Sequence, residues 1–439
     1  MSKVLKTERI LAIETSCDET AIALVEATPS SSRGGRPQFK ILADVVASQI
    51  ETHRPYGGVV PSLAKREHLK NLPIVLEKIT GLRKGLKFKS LAKAIDLIAV
   101  TIGPGLEPCL WTGLNFAKDL AKKLKVPLVG VNHLEGHLFS NWLPPKNQGK
   151  GSQGGYSNVL KNLRISENKI SFPAIVLLVS GGHTMLVLMR SITKWSVLGE
   201  TRDDAVGEAF DKVAKMLGLP YPGGPEVERL ARNFDISKYQ HIEFPRPMIH
   251  DKSYDFSFSG LKTAVLYYLR DLSSQATPPS WRGGETDEVP TASRILDGEA
   301  IGTISVTSKA EKIATPSPFD ENQKSWARDD NKTPLAQNDS IKICASFQKA
   351  AIDVLVHKTM RATKEFKAES ILLCGGVACN KALQKELKNK TKEKPFDKLR
   401  VEFHVPNMKF NTDNAVMIAI AAHLGKKYPT AKPLPNLNL

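Results

Sequence analysis

Residues 10–25 read ILAIETSCDETAIALV, and residues 174–189 read AIVLLVSGGHTMLVLM. Each stretch is an apolar run, a turn of the form S-x-x-x-T and a second apolar run, which predicts two strands joined by a polar turn. Each is followed later by a buried strand that ends in glycines, VTIGPG at 100–105 and LLCGG at 372–376. The repeat predicts an α/β protein of two duplicated lobes, whose turns face a cleft that can hold a phosphate.

The order of strand and helix patterns divides the chain. We expect the first α/β lobe at 1–143 and the second at 172–410, with the final helix, at about 411–430, returning to the first lobe. Residues 144–171 are rich in Gly, Asn and Lys, which predicts a linker or surface insertion. Residues 272–340 are rich in Pro, Ser, Thr and Asp without sustained periodicity, which predicts a disordered insertion in the second lobe.

Composition excludes several protein classes. The 439 residues carry 62 Lys and Arg against 45 Asp and Glu, a net charge of +17. This excess favours a polyanionic partner, nucleic acid above all, although a surface that serves only solubility explains it equally well. No segment approaches the roughly 18 uncharged apolar residues of a membrane span. The five cysteines are scattered and strand-like sequence begins by Ile10, so we expect no disulfide framework, no signal peptide and a cytoplasmic location.

The run His133-Leu134-Glu135-Gly136-His137 is a candidate metal site. Its two histidines are four residues apart, so on a helix both imidazoles lie on one face and can bind one ion; two histidines on a solvated face are the alternative. The glutamate is third in the run rather than second, which argues against a zinc protease. Asp413 is a candidate third ligand in the first turn of the last helix, and a plain helix N-cap is its alternative.

Three glycine-rich turns are candidate anion sites: SGGH at 180–183, YPGGP at 221–225 and CGGV at 374–377. Glycines let backbone N–H groups approach a phosphate, and two of these turns open helices, although each is also consistent with an ordinary turn. Asp211, on an acidic helix, could take a ribose hydroxyl or simply face solvent.

Carboxylates crowd the first turn of the chain, at Glu14, Asp18 and Glu19. Several carboxylates beside a phosphate are useful with a cation between them, or as a base near the reacting atom. Otherwise they are turn residues.

Ten motifs together resemble the bacterial tRNA N6-adenosine threonylcarbamoyltransferase (TsaD) family. They occur in order along nearly the whole chain apart from the two insertions: IETSCDET (13–20), YGGVVPSLAKREH (56–68), GPGL (103–106), NHLEGH (132–137), LVSGGHT (178–184), DDAVGEAFDKVAK (203–215), YPGGP (221–225), DFSFSGLKT (255–263), CGGVACN (374–380) and TDNAVMIA (412–419).

The resemblance implies the two-lobed fold of actin, sugar kinases and the large heat-shock ATPases. It implies transfer of a threonylcarbamoyl group from threonylcarbamoyl-AMP to N6 of the adenosine beside the anticodon, in tRNAs that read codons beginning with adenine. It also implies the partner proteins TsaB and TsaE, and no membrane. A small-molecule kinase of the same fold and a non-catalytic tRNA-binding scaffold remain as alternatives.

The resemblance also assigns residues to the site. His133, His137 and Asp413 would hold one divalent metal ion per subunit, iron(II) in preference to zinc. Asp18 and Glu19 match acidic positions near the reacting group, where a carboxylate such as Asp18 could accept the proton of the attacking amine. The adenylate pocket would be lined by Leu178, Val179, Ser180, Gly181, Gly182, Asp211, Gly224 and Asn380.

Overall fold

The computed structural model describes most of the chain, namely residues 7–29, 37–82, 94–143, 156–157, 163–164, 170–232, 234, 241–275, 337–393 and 401–439. One compact unit comprises Met1–Tyr268 and Gln337–Leu439 and contains both β-sheets. The second unit, Leu269–Ala336, is described only as far as Gln275.

The first sheet contains seven strands in the order β5-β4-β1-β2-β3-β6, with β7 also paired to β3. β1 is antiparallel to β2 and parallel to β4. Its central strands are buried on both faces, which explains their continuous apolar sequence. The strands are β1 Glu8–Glu14, β2 Glu19–Thr28, β3 Gln38–Ser48, β4 Leu97–Gly103, β5 Leu128–Asn132, β6 Tyr156–Ser157 and β7 Leu163–Arg164.

The second sheet contains five strands in the order β10-β9-β8-β11-β12. β8 forms an antiparallel hairpin with β9 and runs parallel to β11, so the carboxyl ends of β8 and β11 lie at the same sheet edge. The strands are β8 Ala174–Val179, β9 Thr184–Ser191, β10 Lys194–Glu200, β11 Ser370–Cys374 and β12 Glu402–His404.

Helices cover both sheets. Those packed on the first sheet or near its edges are α1 Ile50–His53, α2 Pro61–Leu82, α3 Glu107–Leu124, α4 His133–Phe139, α10 Met408–Asn411 and α11 Ala415–Leu424. Those that follow the strands of the second sheet are α5 Val206–Met216, α6 Gly223–Ala231, α7 Ser259–Gln275, α8 Gln337–Glu365 and α9 Lys381–Lys390.

The two sheets confirm the predicted α/β architecture of two similar halves. Both begin with an antiparallel hairpin, β1–β2 in one and β8–β9 in the other, and each hairpin turn falls where the repeat predicts it. A single hydrophobic cluster joins the two sheets, since Ile10 and Ala23 of the first sheet belong to the same cluster as Val176 and Leu178 of the second, together with the apolar helix α11.

The predicted final helix is wrong at its start. Instead of one helix from 411, the chain forms the short α10, leaves helical geometry at Thr412 and begins α11 at Ala415. Asn414, with φ −155° and ψ 153°, accepts a hydrogen bond from the backbone N–H of Met417 at 3.0 Å, so Asn414 rather than Asp413 is the N-cap. The side chain of Asp413 is therefore available for another partner.

Little of the two predicted insertions lies within the described residues. In the first, β6 and β7 add to the edge of the first sheet by pairing with β3. In the second, helices α7 and α8 cover 272–275 and 337–340, and residues 276–336 lie outside the described residues. Among the helices that are described, none is both long enough and apolar enough to cross a membrane.

A buried ion pair fastens α10 to the first sheet. Asp44, fully buried on β3, lies 3.1 Å through Oδ2 from Nζ of Lys409, whose side chain is 28% exposed. Burial raises the pKa of Asp44 above its usual value, and the positive charge of Lys409 opposes this shift. Because the chain reaches Asp413 four residues after Lys409, this pair anchors the segment that carries the third candidate metal ligand.

Replacing Lys409 with Met should lower the free energy of unfolding by about 2 kcal/mol, because it leaves the buried Asp44 carboxylate without its cation. Urea unfolding of the variant measures this loss. The double variant Asp44→Asn/Lys409→Met should lose less than the single variant, and an equal or larger loss would contradict a buried ion pair.

Candidate metal and adenylate site

Helix α4 presents both histidines from one face. Its N-cap is Asn132, whose Oδ1 accepts the N–H of Leu134 at 2.8 Å, so the helix starts at His133 and places His137 one turn later. The two ring centroids are 4.7 Å apart. Gly136, between them, faces α11, where an added Cβ would lie 3.0 Å from side-chain atoms of Met417 and Ile418. The absence of a side chain lets α11, and with it Asp413, come close to the histidines.

His133, His137 and Asp413 form a three-ligand group. Oδ1 of Asp413 lies 3.4 Å from Nε2 of His133 and 3.1 Å from Nε2 of His137, and the three ligand atoms lie within 4.8 Å of one another. Two ligand atoms held at about 2.1 Å by a tetrahedral ion are about 3.4 Å apart, which matches the two distances from Oδ1 of Asp413.

The buried surroundings of His137 support its role as a metal ligand. His137 is fully buried. Oδ1 of Asp413 lies 3.1 Å from its Nε2, whereas its Nδ1 has no hydrogen-bond partner within the described part of the chain. Burying a polar ring with so few partners is costly, and an ion bound between Nε2 and Asp413 would offset part of that cost. The donor set of two imidazoles and one carboxylate therefore fits a divalent metal ion with open coordination positions.

Glu14 is a site residue that sequence reasoning left without a definite role. Its Oε2 lies 3.1 Å from Nδ1 of His133 and also accepts the hydroxyl of Thr101. Burial alone would lower the pKa of His133, but Asp413 and Glu14 raise it to about 10. A carboxylate on the far nitrogen of a metal-binding histidine fixes the orientation of the ring. The signal in the sequence is a charged residue at the end of the buried run ILAIE.

Glu135 points away from the ligand group. Its Oε2 accepts the backbone N–H of Lys426 at 2.9 Å, and its Oε1 accepts the hydroxyl of Tyr428 at 3.1 Å. Tyr428 also pairs through its backbone with Gly130 of β5. Glu135 therefore ties the C-terminal segment to the end of the first sheet and is not placed to act as a base at the metal site.

The acidic turn between β1 and β2 brings Asp18 to the same region. Asp18 is 7% exposed, and its Oδ2 accepts a hydrogen bond from the hydroxyl of Tyr221 at 3.4 Å. Burial and the neighbouring Asp18 raise the pKa of Glu19 well above its usual value. Tyr221 was part of a predicted glycine turn, and its contact with Asp18 could not be read from that motif.

A cavity of about 480 Å³ lies beside Tyr221. It is lined by residues of two segments that are far apart in the chain: Ser48, Ile50, Glu51 and Arg54 on one side, and Pro220, Tyr221, Pro222, Pro225 and Glu226 on the other. The guanidinium of Arg54 donates to the carbonyl of Tyr221 at 3.1 Å, so this contact closes one side of the cavity.

The turn after β8 is shaped to receive an anion. The N–H of His183 donates to Oγ of Ser180 at 3.1 Å, and Gly181 and Gly182 are exposed with no neighbouring atom within 4 Å of an added Cβ. Leu178 and Val179, also predicted to line the pocket, are fully buried, backbone included, in the strand that leads into this turn.

Two glycines allow other segments to approach this turn. Gly207, in the first turn of α5, would place a Cβ 2.5 Å from the carbonyl oxygen of Ser180. Gly375, at the end of β11, has φ +91° and lies against the backbone of Val179. A side chain at either position would separate elements that meet at the carboxyl edge of the second sheet.

Asp211 and Gly224 meet at the start of α6. Oδ1 of Asp211 accepts the backbone N–H groups of Gly223 at 2.7 Å and Gly224 at 3.3 Å. Burial raises the pKa of Asp211 to about 6, although these hydrogen bonds oppose the shift. Asp211 thus caps α6, and within the described residues no hydrogen bond is made by its Oδ2, which can accept one from a ligand.

Asn380 has local partners for both ends of its side chain. Its Oδ1 accepts the N–H of Leu383 and caps α9, and its Nδ2 donates to Gln348 at 2.8 Å. The next residue, Lys381, donates its N–H to Glu228 of α6, which keeps Asn380 close to the Asp211 end of the site.

His183 links the two parts of the site electrostatically. Burial is the main reason why the pKa of His183 falls to about 4, and the nearby charges of His133 and His137 lower it further. Helix α4, which carries both histidines, packs against β8, the strand that leads into the glycine turn, so the turn and the ligand group lie in the same region.

Replacing Glu14 with Gln should weaken metal binding about 10- to 100-fold, because the ring of His133 loses its orienting carboxylate. Calorimetric titration of the metal-free protein with iron(II) or zinc measures the change, and circular dichroism controls for folding. Replacing the remote Glu26, on the next strand, with Gln should leave metal affinity unchanged; equal affinities for the Glu14 variant and the unmodified protein would contradict this role.

Comparison with known proteins identifies the family. The profile of the family described as TsaD, tRNA N6-adenosine threonylcarbamoyltransferase, matches residues 40–150 and 157–420. The protein of that name from Thermosipho africanus is 38% identical over 435 residues, 98% of this chain and 99% of the relative. Its counterpart from Geobacillus kaustophilus is 39% identical over 412 residues, 94% of this chain and 90% of the relative.

Among solved structures, component A of (R)-2-hydroxyglutaryl-CoA dehydratase from Acidaminococcus fermentans has 11% identity and a TM-score of 0.42, covering 94% of this chain and 96% of that chain. The assignment rests on the sequence relatives and on the length of the profile match. By both, the chain belongs to the tRNA N6-adenosine threonylcarbamoyltransferase family.

Proposed function

We propose that this transferase moves the threonylcarbamoyl group of threonylcarbamoyl-AMP to N6 of the adenosine beside the anticodon in tRNA. The observation that carries the proposal is the buried group of His133, His137 and Asp413 next to an exposed glycine turn, as a site for an acylated nucleotide requires. Membership of the tRNA N6-adenosine threonylcarbamoyltransferase family favours neither a small-molecule kinase nor a non-catalytic tRNA-binding scaffold.

The reaction is an acyl transfer from a mixed anhydride that is already activated. The N6 amine forms a bond to the carbamoyl carbon, the bond from that carbon to the phosphate oxygen breaks, and AMP leaves. The exocyclic amine must also lose a proton. We assign the proton to Asp18, because the hydroxyl of Tyr221 orients its Oδ2.

Departing AMP carries a phosphate that needs fixed hydrogen-bond donors. The N–H groups of Gly181 and Gly182 are exposed, and no hydrogen bond made by either lies within the described part of the chain. Backbone donors of this kind require no reorganisation as charge develops on the leaving phosphate. At the other end of AMP, Asp211 and the start of α6 are available to the ribose, with Asn380 beside them.

The metal we propose is iron(II), with zinc as the alternative. Two histidines and one carboxylate with open positions are typical of non-haem iron(II), and zinc also accepts this donor set. When bound, the ion supplies Lewis acidity toward oxygen atoms of the acyl group.

Exposed lysines on one part of the surface support the proposal that this chain binds tRNA. The end of α3 and the C-terminal segment are joined where Nζ of Lys118 donates to the carbonyl of Ala431 at 3.0 Å. Exposed lysines flank this junction, and no ion pair of theirs lies within the described residues: Lys122, Lys123, Lys125, Lys426, Lys427 and Lys432. Such a surface attracts the phosphates of RNA.

The remaining partners are part of the same proposal. We propose that TsaB and TsaE act with this chain, that a separate enzyme supplies the adenylate, and that the reaction takes place in the cytoplasm. An intracellular polyanionic substrate agrees with the net charge of +17.

Single-turnover transfer tests the function. Purified protein with TsaB and TsaE, given threonylcarbamoyl-AMP and unmodified tRNA but no ATP, should yield modified adenosine by nucleoside mass spectrometry. The variant His133→Ala/His137→Ala should lose at least about 100-fold in rate, because it removes two of three metal ligands. Full activity of that variant would exclude the metal role, and no product from the unmodified protein would overturn the proposed function.

AMP affinity should depend on the protonation of Asp211. If only the carboxylate accepts the ribose hydroxyl, a pKa of about 6 predicts that the Kd for AMP rises about fourfold from pH 7.5 to pH 5.5. Calorimetric titration measures the rise. Asp211→Asn keeps an oxygen for Gly223 but cannot titrate, so it shows only the change caused by protonation of AMP itself. The same rise in both proteins would contradict this role.

A further inference from the structure

Two buried histidines lie behind the acidic turn, and the reaction described above does not use them. His53 on α1 and His68 on α2 are both fully buried. His68 ends the run YGGVVPSLAKREH, which carried the family resemblance without a role of its own. Gln49, at the end of β3, lies between the two rings. We call His53, Gln49 and His68 the histidine relay.

The hydrogen bonds of His68 define its tautomer. Its Nε2 lies 2.9 Å from the carbonyl oxygen of Cys17, which can only accept, so Nε2 carries the hydrogen. Its Nδ1 lies 2.8 Å from Oγ1 of Thr20 and 3.2 Å from Nε2 of Gln49. An amide nitrogen can only donate, so Nδ1 is the acceptor and the ring is neutral.

The rest of the relay has a single consistent direction. Nε2 of Gln49 also lies 3.4 Å from the carbonyl of Ala64, which fixes the orientation of the amide. Its Oε1 therefore accepts from Nε2 of His53 at 3.1 Å, and Nδ1 of His53 accepts the N–H of Val60 at 3.3 Å. Both histidines are Nε2–H tautomers, and a proton added to either ring would face a donor.

The relay ends on the backbone of the acidic turn. Nε2–H of His68 donates a hydrogen bond to the carbonyl of Cys17, and the backbone N–H of Gln49 donates one to the carbonyl of Asp18 at 3.0 Å. Two consecutive carbonyls are thus fixed by α2 and by the end of β3. From this turn Oδ2 of Asp18 accepts a hydrogen bond from the hydroxyl of Tyr221 at 3.4 Å.

From this geometry we infer that His68 is a positioning residue, which Gln49 and His53 orient and which holds the acidic turn so that Asp18 faces the attacking amine. The inference rests on the proposed function for the role of Asp18, whereas the relay itself does not. Loss of the donor to Cys17 would leave a buried carbonyl unpaired and let the turn move. AMP and metal binding should be unaffected, because their ligands lie on other elements.

Two variants of His68 separate positioning from packing. Gln places an N–H near the position of Nε2, whereas Leu has a similar size and no donor. With saturating adenylate and tRNA, we expect His68→Gln to keep the single-turnover rate within about threefold and His68→Leu to lose about 10- to 100-fold. The Kd for AMP and the metal content should match the unmodified protein in both.

Long-range proton–nitrogen correlation spectra of histidine-labelled protein give a readout without activity. We expect His53 and His68 as Nε2–H tautomers, identified by the loss of one signal in each single His→Gln variant. If His68→Leu does not fold, Gln49→Met interrupts the relay at its centre and should lower the rate similarly.

A wild-type rate for His68→Leu or Gln49→Met, or Nδ1–H tautomers in the spectra, would overturn the inference. Failure of the unmodified protein to transfer the group would overturn the proposed function instead, and the spectra would still decide whether the relay exists.

Discussion

The metal site requires His133 and His137, one helical turn apart, to lie beside the carboxylate of Asp413, which follows His137 by 276 residues. The packing of the rest of the structure brings these three side chains together. His137 is fully buried, Asp413 lies 3.1 Å from its Nε2, and its Nδ1 has no hydrogen-bond partner among the described residues. Gly136 lets α11 approach, and the pair of Asp44 and Lys409 anchors the segment that leads to Asp413. The ligand group therefore depends on packing across the whole first sheet.

The second sheet contributes different chemistry to the same place. Its glycine turn, the start of α5 and the end of β11 come together because Gly207 and Gly375 have no side chains to separate them. Exposed backbone donors then lie in the same region as the ligand group, because helix α4 packs against β8, the strand that leads into this turn. A nucleotide acylated on its phosphate needs both features at once, a donor surface for the phosphate and a cation for the acyl oxygens.

The elements that sequence could predict are those with a local pattern. The hairpins β1–β2 and β8–β9 follow from apolar runs around a polar turn, and His133 with His137 follows from helical spacing. Contacts between distant residues leave no such pattern: Glu14 meets His133 at a separation of 119 residues, and Tyr221 meets Asp18 at 203. The sequence places the start of the final helix four residues too early, because all four residues of NTDN at 411–414 are suitable N-caps and only the backbone conformation distinguishes Asn414.

The most direct test is a crystal structure of the protein loaded with one equivalent of iron(II), with anomalous data collected at the iron edge. We expect one anomalous peak, about 2.1 Å from Nε2 of His133, Nε2 of His137 and Oδ1 of Asp413. An ion bound at other residues, or no peak among these three side chains, would contradict it.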